Sequence, residues 1–306
     1  MRIRNLPAAI AVIVILILFI VSSTGLSYQN TIRREVSIVN IPFSALNKDG
    51  VPVTGLNAGD FSVLENGDPQ EIEFFSETAK SDEVILTIAL LIDTSGSVKD
   101  KLRYEIDTAA EFFNEILRPN KDLALIMQFD SEVNLVQDFT QNHDDLVRAL
   151  SSLRAGNNTS LYDAIYLAAE EKLRFEAGRK VMVVISDGED TSSLVSREEA
   201  LEAAQKSDAL IYGIGVRGRQ SRGSFGDLEK FADQTGGAFF SPRAEFKEIQ
   251  ETFRRIGTDL RGQYSLAYVP TDKRKDGTFR RIEIRCNKRD VRIRARRGYY
   301  APERDR

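Results

Sequence analysis

"VILTIALLIDTSGSV", Val84 to Val98, opens as an almost unbroken apolar run and closes as a polar one. From Val84 to Ile92 only Thr87 is polar, the pattern of a strand buried on both faces in a parallel sheet covered by helices. Asp93, Ser95 and Ser97 then stand at every second position where such a strand ends. One carboxylate and two hydroxyls make a poor core and an incomplete catalytic set. They do make three hard oxygen ligands.

Downstream the period changes to that of a helix. Leu102, Ile106, Ala109, Ala110, Phe113, Ile116 and Leu117 recur at helical spacing until Pro119 stops the run. The strands "DLALIMQF" and "VNLVQDF" follow, then a helix from Asp144, another from Leu161 to Phe175, and the strand "KVMVVIS". A helix over Arg197 to Ser207, the strand "ALIYGIGV", a helix near Asp227 to Gln234, a short strand at "GAFF" and a helix carrying Phe246, Ile249, Phe253 and Ile256 complete the series. Strands alternating with helices predict an α/β domain over residues 82–258, a doubly wound and mostly parallel sheet of Rossmann-like type. In such sheets ligands gather in loops beyond the carboxyl ends of the strands.

Two more polar stretches fall at such loops. "AGNNTSLYDA" sets Thr159 just before the helix starting near Leu161, and "VVISDGED" sets Asp187 directly after a buried strand. Alone, Thr159 reads equally as a helix N-cap and Asp187-Gly188 as a turn. With Asp93, Ser95 and Ser97 they form a five-oxygen constellation on one domain. Oxygen donors without His or Cys suit a hard cation, and two carboxylates nearly neutralise a divalent ion. Mg2+ fits best and Mn2+ is close behind, whereas Ca2+ asks for more ligands than five short side chains supply. Such a set also leaves a coordination position open to an acidic group from a partner.

The stretches "DTSGS", "GNNTSLYDA" and "SDGED", with the order of strands and helices and the later "TGGAFF", resemble the von Willebrand factor A (vWA) domain and its D-x-S-x-S signature. The resemblance implies that Asp93, Ser95, Ser97, Thr159 and Asp187 form a metal-ion-dependent adhesion site, some holding the ion directly and others through water. The segments on either side are similar to a bacterial group of exported vWA-related proteins abundant in Acidobacteria, which carries no settled biochemical role.

Those outer segments are β-rich. "NKDGVPVTGLNAGDFSVLENGDPQEIEFFS" carries turn chemistry at Lys48-Asp49-Gly50, Asn57-Ala58-Gly59 and Asn66-Gly67-Asp68-Pro69. In "RRIEIRC" Ile282, Ile284 and Cys286 share one face and Arg281, Glu283 and Arg285 the other; Val291, Ile293 and Ala295 alternate likewise with Arg292, Arg294 and Arg296. Neither segment has enough strands to bury its apolar face alone. Residues 31–80 and 259–302 are therefore expected to pack together as a small β-sandwich-like domain with the α/β domain inserted. The 306-residue chain has net charge -4, yet Arg261 to Arg306 holds 15 Lys/Arg against 6 Asp/Glu. The alternation reads as a solvated strand face whose arginines pair with an acidic body rather than as a nucleic-acid surface.

At the other end, residues 1–27 read as a signal peptide or a membrane anchor. Arg2 and Arg4 precede an apolar run from Ala8 to Val21 and the small residues Ser22 to Gly25, while Leu6 to Leu26 would just span a bilayer if uncut. Both versions place the rest of the chain outside the cytoplasmic membrane, in the periplasm, outside the cell, or held to the membrane facing outward. Cys286 is the only cysteine, so no internal disulfide or zinc-cysteine cluster can form.

The rival chemistries are weaker. "GIGVRG" spells G-x-G-x-x-G at Gly213, Gly215 and Gly218, but no helix opens until about Phe225 to hold a pyrophosphate. The sole histidine, His143, sits at a helix start as a surface residue. Ser95 or Ser97 as nucleophile would need a nearby base. Asp130 reads as a supporting group or a turn aspartate, and Glu189 and Asp190 as solvated loop acids. The sequence thus points to a non-catalytic, exported binding module whose metal captures a partner protein through a carboxylate. The alternative is a metal-assisted hydrolase or phosphoryl-transfer enzyme, for which a general base and an Asp-x-Asp pair are missing.

Overall fold

The computed structural model describes residues 38–77, 84–98, 101–156, 158–187, 190–216 and 224–303, without the Ser97 side chain. The signal or anchor assigned to residues 1–27 lies outside them, as do Gly188, Glu189 and Gly218. Among the described residues no helix is long and apolar enough to cross a membrane.

The run that opens at Val84 becomes strand β5 (Leu86–Asp93), buried at all eight positions, and it lies inside a six-stranded sheet. Its neighbours are β6 (Leu123–Phe129) and β8 (Arg179–Ser186), both parallel to it. Beyond β8 come β9 (Leu210–Gly215) and the two-residue β10 (Phe239–Phe240), also parallel; beyond β6 the edge strand β7 (Val133–Thr140) runs antiparallel. Strand order is thus β10-β9-β8-β5-β6-β7. The chain builds outward from β5 on one side and then returns to its other side, so the reversal of winding falls between β5 and β8.

Alternate residues of β5 feed two cores, as a strand's period of two requires. Leu86, Ile88, Leu90 and Ile92 pack with helices α1 (Leu102–Ile116), α2 (His143–Ser152) and the later α6 (Phe246–Arg261). Ala89 and Leu91 pack on the opposite face with α3 (Leu161–Leu167), α4 (Arg197–Lys206) and α5 (Gly226–Thr235). Both faces are covered, which is why the strand needs no polar alternation. The expected single helix from Leu161 to Phe175 is broken. It is α-helical to Leu167, widens to a π turn over Ala168–Lys172 and tightens to a 3-10 turn over Leu173–Phe175.

The outer segments form two antiparallel four-stranded sheets. One has the order β13-β1-β11-β4, from Arg292–Ala295, Val39–Leu46, Tyr264–Tyr268 and Phe74–Glu77. The other has the order β14-β12-β2-β3, from Gly298–Tyr300, Phe279–Cys286, Phe61–Glu65 and Asp68–Gln70. Ile41, Phe43, Phe61, Val63, Tyr264, Leu266, Tyr268, Ile282 and Ile284 form one shared core between them. Each sheet mixes strands from before and after the α/β domain, so the sandwich closes only when both ends of the chain meet.

One face differs from the expectation of solvated arginines. Ile282 and Ile284 point inward and Arg281, Glu283 and Arg285 outward, as the alternation predicts. Arg294 and Arg296, however, are turned onto the α/β domain, where they pair with Asp259 and Asp208, and Arg297 pairs with Asp233. Arg280 is buried with Glu65 inside the sandwich, 3.3 Å apart. The arginines do meet acidic groups of the body, with Arg294 and Arg296 largely covered and the Arg297–Asp233 pair exposed.

Candidate metal centre

Asp93 is the last residue of β5, and Asp187 follows the last residue of the adjacent β8. Both carboxylates therefore emerge at the carboxyl edge of the sheet, at the point where the winding reverses. Asp93 is wholly buried and Asp187 is 6% exposed. The Asp93 carboxylate is fixed from both sides: the Ser95 backbone N–H donates to Oδ1 at 2.8 Å and the Ser186 hydroxyl to Oδ2 at 2.7 Å. The first bond is an Asx-type turn, and it curls the chain so that Ser95, 1% exposed, stays beside the aspartate. Ser97 lies in the 3-10 turn Gly96–Val98 that continues this curl.

Thr159 arrives from the loop before α3. That loop is tied to the Asp93 loop by the Gly156 N–H, which donates to the Thr94 carbonyl at 2.5 Å. It is tied to the loop after β8 by a reciprocal pair: the Thr159 N–H donates to Thr191 Oγ1 at 2.9 Å and the Thr191 N–H to the Thr159 carbonyl at 2.8 Å. The structure thus joins the three loops carrying Asp93 with Ser95, Thr159, and Asp187. Ser186 and Thr191, absent from the sequence reading, act as braces. Their signal was only that each neighbours a named loop residue.

The minor candidates find ordinary roles. The Asp130 carbonyl accepts the Ser160 N–H at 2.8 Å, and its carboxylate fills the space beside Gly156, where a Cβ would come within 1.8 Å of Oδ2. Asp190 caps the start of α3, accepting the Tyr162 N–H at 3.2 Å and the Ser193 hydroxyl at 2.5 Å. His143 is the first residue of α2 behind its Asn142 cap. Gly213 and Gly215 are glycines for packing: a Cβ would meet Leu228 Cγ at 2.6 Å and Phe225 at 2.8 Å respectively.

Burial pushes the Asp93 carboxyl above the usual carboxylate range, against the hydrogen bonds from Ser95 and Ser186, and the charge of Asp187 pushes it further. Two acids held together out of water in this way suit a divalent cation, whose charge would offset both. Asp93, Ser95, Thr159 and Asp187 would supply hard oxygen donors to it. Among the described residues no three of His, Cys, Asp and Glu gather as a ligand cluster, so a bound ion would rely on hydroxyls and water beside the two acids.

The model of the von Willebrand factor type A domain matches residues 87–255. An uncharacterized protein of Borreliella burgdorferi is 23% identical over 188 residues, 52% of this chain and 54% of its own. The chain spans about half the length of that curated relative. Among solved structures, proximal thread matrix protein 1 of the mussel byssus superposes with a TM-score of 0.53 at 15% identity, covering 64% of this chain and 51% of the mussel chain. A second structure of that mussel protein, with a zinc-occupied metal-ion-dependent adhesion motif, gives 0.51 at 16% identity over 60% of this chain and 48% of its own.

Proposed function

We propose, from the premise that this chain belongs to the von Willebrand factor type A domain family, that it is an exported, non-catalytic binding module. Its divalent cation is held by Asp93, Ser95, Ser97, Thr159 and Asp187 and captures an acidic group of a partner protein. The observation that carries this reading is the convergence of two buried carboxylates and their flanking hydroxyls at the carboxyl edge of β5 and β8, with Asp93 clamped by Ser95 and Ser186. The zinc-occupied motif of the mussel protein supports a divalent ion at such a site. Mg2+ is the favoured ion for this chain, because short oxygen ligands suit a small hard cation that keeps several waters. Mn2+ is the closest substitute.

An open coordination position then accepts a carboxylate from the partner. Export follows from the charge and apolar order of residues 1–27, acting as signal or anchor. Residues 31–80 and 259–302 are the β domain that presents the vWA domain, residues 82–258.

Calorimetric titration tests the site. Asp93→Ala or Asp187→Ala removes one of two charges balancing the ion, and each is expected to weaken Mg2+ binding at least about tenfold, about 1.4 kcal/mol. Ser97→Ala removes a neutral ligand and is expected to cost less. Binding undiminished in Asp187→Ala would sink the reading. So would a metal-dependent turnover in a phosphatase and esterase screen, which would favour the enzyme instead.

A further inference from the structure

Glu105 stands in the apolar stripe of α1, among Leu102, Ala109, Phe112 and Phe113, and is 1% exposed. Both of its carboxylate oxygens are buried without a hydrogen-bond partner. An orphaned carboxylate in such a place is strongly unfavourable unless something compensates it. Lys101, one turn earlier and also buried, gives its ammonium to the Val216 carbonyl beyond β9 instead. Val216 in turn gives its N–H to the Ser186 carbonyl at 3.0 Å, directly before Asp187, and the Lys101 N–H donates to the Val98 carbonyl of the Asp93 loop at 2.9 Å, so this first turn of α1 sits at the carboxyl edge beside the candidate metal centre, within reach of the charges of Asp93 and Asp187. It does not join the two aspartates in a direct three-acid cluster among the described residues.

We propose that Glu105 is a third carboxylate of the metal centre, a positioning residue behind Asp93 and Asp187 that accepts hydrogen bonds from water carried by the divalent cation. The orphaned oxygens then acquire donors when the ion is bound, and the ion acquires a further anion that holds its hydration in place. This inference rests on the metal reading above. Without an ion, burial, the largest influence, pushes the Glu105 carboxyl up to about 8, with Lys101 opposing and Asp93 and Asp187 adding, so near neutral pH this role requires that binding of the cation release its proton.

The test uses the full chain with Glu105→Gln, which keeps the shape without the charge, and Glu105→Leu. Mg2+ and Mn2+ affinity is measured by calorimetry and melting temperature on metal-stripped protein, with Asp187→Ala alongside. Both Glu105 variants are expected to melt at or above the parent when metal-stripped, since a buried carboxyl group with two unpartnered oxygens is gone. Both are expected to bind Mg2+ about 10–100-fold more weakly, with a smaller metal-induced rise in melting temperature. If Glu105→Leu does not fold, Glu105→Gln decides alone. Parental affinity in Glu105→Gln while Asp187→Ala has lost binding overturns this inference and leaves the metal reading standing. A fall in metal-free melting temperature that accounts for the weaker binding makes Glu105 structural and overturns it too. A parent chain that binds neither ion overturns both.

Discussion

At the scale of single residues, the buried carboxylates toward the two ends of β5 differ in what surrounds them, and pH should separate them. Glu105 has an ordinary value of 4.5 and about 8 in the fold, chiefly through burial. Between those values the folded chain keeps a proton that the unfolded chain has released, so stability falls as pH rises through that window. Asp122 has the opposite sign: bonds from Arg118 and the Leu86 N–H hold it below the usual range against its burial, so its contribution is lost only in stronger acid. Metal-stripped protein melted from pH 5 to pH 8 is therefore expected to lose stability steadily, and Glu105→Gln to flatten that slope. Parallel slopes for parent and variant would assign the titration to another group. Glu105 was visible in the sequence as a charge three residues after Leu102 and four before Ala109. What could not be seen was that Asp187, far away along the chain, would stand near enough for its charge to act on Glu105 together with that of Asp93.

At the scale of elements, "TGGAFF" shows why a motif can be legible before its reason is. Gly236 ends α5 in the left-handed region, φ 84°, and a Cβ there would come within 2.4 Å of the Arg296 backbone nitrogen. At Gly237 a Cβ would fall 1.9 Å from the Ile211 carbonyl oxygen of β9. Gly236→Ala is expected to cost about 1–3 kcal/mol from the backbone alone, and Gly237→Ala a similar amount by forcing the strand aside, both read by urea unfolding. Gly59→Ala, with nothing within 4 Å, should stay within about 0.5 kcal/mol of the parent. The sheet, its helices and the loops of Asp93, Thr159 and Asp187 were readable because apolar periodicity and turn residues are local. The π turn after Leu167 was not, since one extra backbone residue leaves the apolar spacing of Ala168, Ala169 and Leu173 looking helical. Nor was the covered arginine face of β13, because a period of two reports that Arg294 and Arg296 share a side, not that Asp259 and Asp208 wait there.

At the scale of the whole described body, the α/β domain and the sandwich are joined through Asp259 near the end of α6. It accepts from Ser44 of β1 at 2.8 Å and from Tyr212 of β9 and Arg294 of β13, while Gln263 donates to the Tyr212 hydroxyl at 3.0 Å. Asp259→Ala would leave the Arg294 charge and the Ser44 and Tyr212 hydroxyls without their acceptor, and is expected to cost about 3–5 kcal/mol of unfolding free energy. Removing residues 263–306 is the stronger test of how the two parts depend on each other. Strand β1 would lose both partners, β11 and β13; β4 would lose β11; and β2 would keep only β3. What remains of residues 38–77 is a single hairpin with Ile41, Phe43 and Val63 stripped of their cover, and an isolated hairpin is marginal in water. The six-stranded sheet loses no strand. Limited proteolysis of the shortened chain is therefore expected to cut within residues 38–77 and to spare a fragment near residues 84–262 that keeps its helical circular dichroism. Protection of residues 38–77 at the parental level would show that the N-terminal strands hold together without the C-terminal ones.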